Sequence, residues 1–111
     1  MIQVVTINGQ ELRFANNLDA MYAYEEHTGR SFLGDIASLE SWQGKNGQPD
    51  MSKIKVGKLL DLIWAFAYAA DEKIPPPKQR RQQFELSDIM ELFQVIQLMA
   101  VNMMETKEKN A

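Results

Sequence analysis

The sequence predicts a mainly α protein, with an N-terminal β-hairpin packed on a bundle of about four helices. Three observations lead there. A β-rich opening run is broken by Asn8-Gly9. Later segments repeat apolar residues at helical spacing and begin at cap residues. Gly29 and the prolines of "KIPPPK" then punctuate those segments. At 111 residues, the chain is expected to form a single domain over 1–111 with one modest core.

The hairpin is read over 2–14. In "IQVVTINGQELRF", Ile2–Ile7 and Glu11–Phe14 flank Asn8-Gly9, a dipeptide that supplies the positive φ angles of a two-residue turn. Two strands alone are marginal in water, so they must pack on helices.

A first helix is expected over about 17–28. Asn16 or Asn17 caps it, and Leu18, Met21, Tyr22 and Glu25 share one face. Thr28-Gly29 stops it, because glycine takes the left-handed conformation past a helix end. Ser31 caps a second helix, about 31–39, that buries Phe32, Leu33 and Ile36. "ESWQGKNGQPDM" is a loop. Ser52 opens a third helix, about 52–71, polar in its middle only at Asp61 and therefore central to the core. The prolines end that region and favour an extended connector carrying Lys78, Arg80 and Arg81. Ser87 and Asp88 open a last helix, about 87–106, followed by a flexible tail at 107–111.

Composition excludes several functions. There is no cysteine, hence no disulfide, thiolate metal site or cysteine nucleophile. A net charge of −3 gives no general attraction for nucleic acid or anionic membrane. The longest apolar run, "LIWAFAYAA", is far short of the roughly 20 residues a membrane span needs. No signal peptide is visible at the N-terminus, and a cytoplasmic location is expected.

The only histidine stands in "YEEHTGRSF". A second metal ligand on the same helix face would sit three or four residues away. Those positions are Ala23, Tyr24, Arg30 and Ser31, and none is a carboxylate or imidazole. With no phosphate loop or nucleophile elbow either, no catalytic residue, metal or cofactor is expected. The stretch reads instead as a helix–Gly–helix corner built from Glu25, Thr28, Gly29 and Ser31. His27 complements the negative end of the first helix. Glu25 accepts from the free amides around Arg30 to Leu33.

The last helix is more apolar than one small core requires. From Ile89 to Met104, twelve of sixteen residues are apolar, and Glu91, Gln94, Asn102 and Glu105 share one narrow sector. The expected partner or self-association surface comprises Phe93, Ile96, Met99, Met103 and Met104. Met99, Met103 and Met104 are its exposed members, and Phe93 and Ile96 lie nearer the core.

The corner "YEEHTGRSF" resembles the "aromatic or Leu–Glu–Glu–x–Thr–Gly–Lys/Arg–Ser" corner of the small tail assembly chaperones of long-tailed bacteriophages, including the related tail protein of gene transfer agents. "LLDLIWAFAYAA" is similar to that family's apolar helix, and the order of parts agrees over roughly residues 2–104. The loop at 40–51 and the "PPPKQRR" connector depart from the family pattern. The resemblance implies a non-enzymatic protein in the cytoplasm of a bacterial host. It would bind the tape measure protein and recruit tail tube subunits. The surplus apolar face of the last helix separately leads to an expected homo-oligomer, and the acidic balance to no nucleic-acid or membrane partner. Two rival readings stand beside it. One is a small oligomeric adaptor or dimerisation domain. The other is a helix-turn-helix DNA-binding module, disfavoured because its second helix carries Asp35 and Glu40 and lacks Arg, Lys, Asn and Gln.

Overall fold

A computed structural model describes residues 2–45, 48–74 and 84–109, with side chains through 101. Strand β1 (Ile2–Ile7) pairs antiparallel with β2 (Gln10–Ala15), from Ile7 opposite Gln10 to Ile2 opposite Ala15. Asn8 and Gly9 between them take φ of 54° and 74°, the two left-handed residues of a turn whose twist matches the strands. Ile7, Leu12 and Phe14 point into the core and Ala15 is buried at the strand end, while Ile2 and Val4 stay on the outer face.

Helix α1 (Leu18–Thr28) starts where Asn17 Oδ1 accepts from the Ala20 amide at 3.3 Å. Its buried stripe differs from the expected one. Ala20, Ala23 and Tyr24 are buried, whereas Leu18 is 77% and Tyr22 71% exposed. The i, i+3, i+4 spacing of Ala20, Ala23 and Tyr24 is as helical as that of Leu18, Met21 and Tyr22. The small alanines let α1 lie close on its neighbours.

Helix α2 (Phe32–Ala37) is shorter than expected and continues as a 3₁₀ segment, Ser38–Trp42. Phe32 is fully buried, Ile36 is half-buried, and Leu33 is exposed rather than core. The loop that follows is closed by a bridge between Gln43 and Pro49. Trp42 packs near Phe93, with ring centres 6.0 Å apart.

Helix α3 (Val56–Ala70) begins four residues later than expected. Ser52 is engaged instead in a local turn, where Asp50 Oδ1 accepts from the Ser52 amide at 3.0 Å and from its hydroxyl at 2.7 Å. Those bonds hold the Asp50 carboxyl below its ordinary range. The run Leu59, Leu62, Ile63, Trp64, Ala65, Phe66, Ala67 is buried, so α3 is the central helix, against β2, α1 and the last helix.

A 3₁₀ turn (Leu86–Asp88) leads into α4 (Ile89–Lys109). The helix runs through Lys109, into what the sequence assigned to a tail. Its cap is a reciprocal box: Asp88 Oδ2 accepts from the Glu85 amide at 2.8 Å, and the Glu85 side chain accepts from the Asp88 amide. Ile89, Leu92, Phe93, Val95, Ile96 and Met99 are buried. Met99 therefore belongs to the core, not to an exposed surface, and Phe93 and Ile96 are wholly internal. The helix instead exposes Leu98 and Val101. The side chains of Met103 and Met104, and the whole of Lys78, Arg80 and Arg81, lie outside the described residues.

Candidate functional site

The corner between α1 and α2 is built by the residues of "EEHTGRS". Gly29 takes φ 73° and donates its amide to the Glu25 carbonyl at 2.8 Å. The Thr28 hydroxyl donates to the Tyr24 carbonyl at 2.8 Å and accepts from the Arg30 amide at 3.1 Å. Ser31 Oγ accepts from the Gly34 amide at 3.0 Å and so caps α2. Glu25 Oε2 accepts from the Phe32 amide at 2.9 Å. One carboxylate thereby satisfies a free amide in the first turn of the next helix. Phe32 is driven into the core edge-on to Tyr24 and Phe66, at 5.7 and 5.6 Å.

Beneath the corner lies a polar network that the sequence reading missed. The Tyr24 hydroxyl donates to Asp35 Oδ2. Arg30 donates through Nε to Asp35 Oδ2 at 3.0 Å, and through Nη2 to the Tyr24 oxygen and Asp61 Oδ2, each at 3.1 Å. Lys58 Nζ stands 3.7 Å from Asp35 Oδ1. Two cations thus face two carboxylates, and α1, α2 and α3 are tied together. Lone Asp61 in an apolar helix was the signal that a cation had to come from elsewhere.

The electrostatics favour the resting protonation states. Burial pushes the Tyr24 phenol up, and Asp35 raises it further. Arg30 is raised through its bonds to Tyr24 and Asp35. For Asp35, burial pushes the carboxyl up, but the hydrogen bonds from Tyr24 and Arg30 and the nearby charges of Lys58 and Arg30 outweigh it and hold the group low. The cluster keeps its protons in place and acts as a latch between helices.

His27 does not join Glu25 in a site. Its ring packs against Trp64, tilted by 46° with centres 5.1 Å apart, and Trp64 packs against Tyr68 at 5.0 Å with a 32° tilt. Among the described residues no three His, Asp or Glu side chains are placed to hold a metal ion, and no helix is long and apolar enough to cross a membrane. The His27–Trp64–Tyr68 row forms one wall of a hollow of about 680 Å³ between α1 and the end of α3. Asp19, Tyr22, Glu26 and Glu72 line the same hollow. This groove was also missed, because its residues come from two helices whose facing depends on the rotation of α1.

No protein-family model, curated protein or solved structure matches the chain.

Proposed function

We propose that this protein is a non-enzymatic tail assembly chaperone of a long-tailed phage or prophage. It binds the tape measure protein in the bacterial cytoplasm, keeps it soluble and recruits tail tube subunits to it. The carrying observation is the corner. Tyr24, Glu25, Thr28, Gly29, Arg30, Ser31 and Phe32 of the family-like stretch each have a defined structural task, with the Glu25 carboxylate joined to the Phe32 amide at 2.9 Å.

Two further features support the reading. Leu98 and Val101, one turn apart on α4, remain exposed, an apolar strip on which a client helix or a second copy can lie. Arg30, the cation beside the would-be helix-turn-helix, is committed to Asp35, Asp61 and Tyr24, which speaks against the DNA-binding rival.

Coexpression with a long, coiled-coil-rich tape measure protein tests the role. The chaperone reading expects a soluble complex that copurifies, and an insoluble client in its absence. A client equally soluble with and without this protein would leave the adaptor or dimerisation reading in its place.

A further inference from the structure

We infer that the groove between α1 and the end of α3 binds an arginine side chain presented by an extended or helical segment of the partner protein. The inference deepens the chaperone reading by naming the chemistry of the partner, and it rests on that reading for the partner's identity alone.

The groove has an aromatic wall and a carboxylate rim. Tyr68 on α3 and His27 on α1 present partly exposed rings on either side of Trp64, with centres 5.0 and 5.1 Å from it, while Trp64 itself is 9% exposed and forms the floor between them. Tyr22 on α1 stands opposite, 71% exposed and with no part in the core. Asp19 and Glu26 on α1 and Glu72 beyond α3 bring three carboxylates to the lining, and among the described residues no Lys or Arg lines the hollow. The last turn of α3 carries no basic residue to offset its negative dipole end. Arg30, the cation nearest in sequence to this face of α1, is held by Tyr24, Asp35 and Asp61.

These terms all favour a cation. Aromatic faces attract a guanidinium held over them. Carboxylates at the rim give that cation hydrogen-bond acceptors. Arginine fits better than lysine, because its plane stacks on rings while its edge donates in pairs to carboxylates. A free metal cation is disfavoured, since it gains nothing from the aromatic wall beyond what water offers and prefers clustered oxygen ligands.

The test uses the full chain labelled for nuclear magnetic resonance, which has two indole signals. Trp64 lies in the groove, and Trp42 packs near Phe93 as an internal reference. The probe is a twelve-residue peptide with arginine at every fourth position. The control is the same peptide with citrulline, which keeps the shape and removes the charge. The arginine peptide should shift Trp64 and leave Trp42 in place. Citrulline should weaken binding roughly tenfold or more, since both the rim and ring contacts need the charge. The exposed double change Tyr22→Ala with Glu26→Gln should weaken the arginine peptide to a similar degree. Equal binding of the two peptides, unchanged affinity of the double variant, or shifts at Trp42 equal to those at Trp64 would each overturn the assignment. So would a Trp64 shift produced by unlabelled protein alone, because the occupant would then be a second copy. Failure of the arginine peptide, with a tape measure segment still solubilised, removes this site and leaves the chaperone role. The reverse result supports the site and removes the role.

Discussion

The Asn8 side-chain amide donates to Asp88 Oδ2 at 2.7 Å, across a separation of eighty residues. The same carboxylate oxygen accepts from the Glu85 amide at 2.8 Å. Asp88 is the buried charge among the described residues, and it joins the tip of the hairpin to the cap of α4. The first and last elements of the chain meet on one carboxylate. Asn8 has two tasks at once, since its φ of 54° is also one that asparagine tolerates better than most residues.

Asp88→Ala should therefore cost more than an ordinary cap. It leaves the Glu85 amide and the Asn8 amide without an acceptor, a loss of about 1–3 kcal/mol. Urea unfolding of the wild type, Asp88→Ala, Asn8→Ala and the double variant gives the coupling directly. A coupling below about 0.5 kcal/mol would mean the two residues act independently.

Gly9→Val isolates the turn. Nothing lies within 4 Å of a Cβ built there, so crowding plays no part. The φ of 74° alone penalises a β-branched side chain, by about 1 kcal/mol or more. Gly9→Asn should cost clearly less. A midpoint of thermal unfolding unchanged in Gly9→Val would contradict the turn.

The hairpin, the corner and the central helix were legible in the sequence because each is specified locally. Asn8-Gly9 fixes a turn, Thr28-Gly29 fixes a helix end, and the apolar run after Leu59 admits little but a buried helix. What escaped depended on contacts between distant elements. The rotation of α1 was misread because Ala20 and Ala23 carry little hydrophobic signal, while Leu18 and Tyr22 carry much and stay outside. The start of α3 was misplaced because Ser52 has a better partner in Asp50. Met99 looked like surplus surface, but it is fully buried in the one core cluster that the hairpin, Trp42 and the helices share, so α4 is covered through Met99. The Tyr24–Arg30–Asp35–Asp61 network needs three helices in place before its charges meet.

Glu25 and His27 should separate by readout. Glu25→Ala frees the Phe32 amide, so hydrogen exchange at Phe32 should accelerate, with a stability loss of about 1 kcal/mol for a cap at an exposed site. His27→Ala removes the ring over Trp64 and should change Trp64 fluorescence while leaving Phe32 exchange as it was. Faster exchange at Phe32 in both variants would show that the corner depends on His27 as well.

Tyr24→Phe tests the network through pH. It deletes a hydroxyl bonded to Asp35 and Arg30, at a cost of about 1–2 kcal/mol near neutral pH. Asp35 is held low when folded, so its contribution is present above the ordinary carboxylate range, near about pH 4, and is lost as pH falls through the folded value. Without the tyrosine bond the folded Asp35 should titrate higher. The stability gap between the two proteins should be full at neutral pH and narrow below about pH 4. A gap constant from pH 7 down to acid unfolding would show that the hydroxyl does not act through the ionised Asp35.

The last helix divides its apolar residues between two roles, and paired substitutions should tell them apart. Met99 is fully buried, and truncation to Ala should cost about 2–5 kcal/mol. Leu98 and Val101 are 43% and 51% exposed, and changing both to Glu removes little burial within the domain. The Leu98→Glu, Val101→Glu variant should unfold near the wild-type midpoint. It should also sediment as a smaller species and lose the capacity to keep a coexpressed tape measure segment soluble. Met99→Ala should instead lower stability while retaining association in the fraction that stays folded. If the double Glu variant associates and solubilises like the wild type, the strip on α4 is ordinary solvated surface and the binding face lies elsewhere.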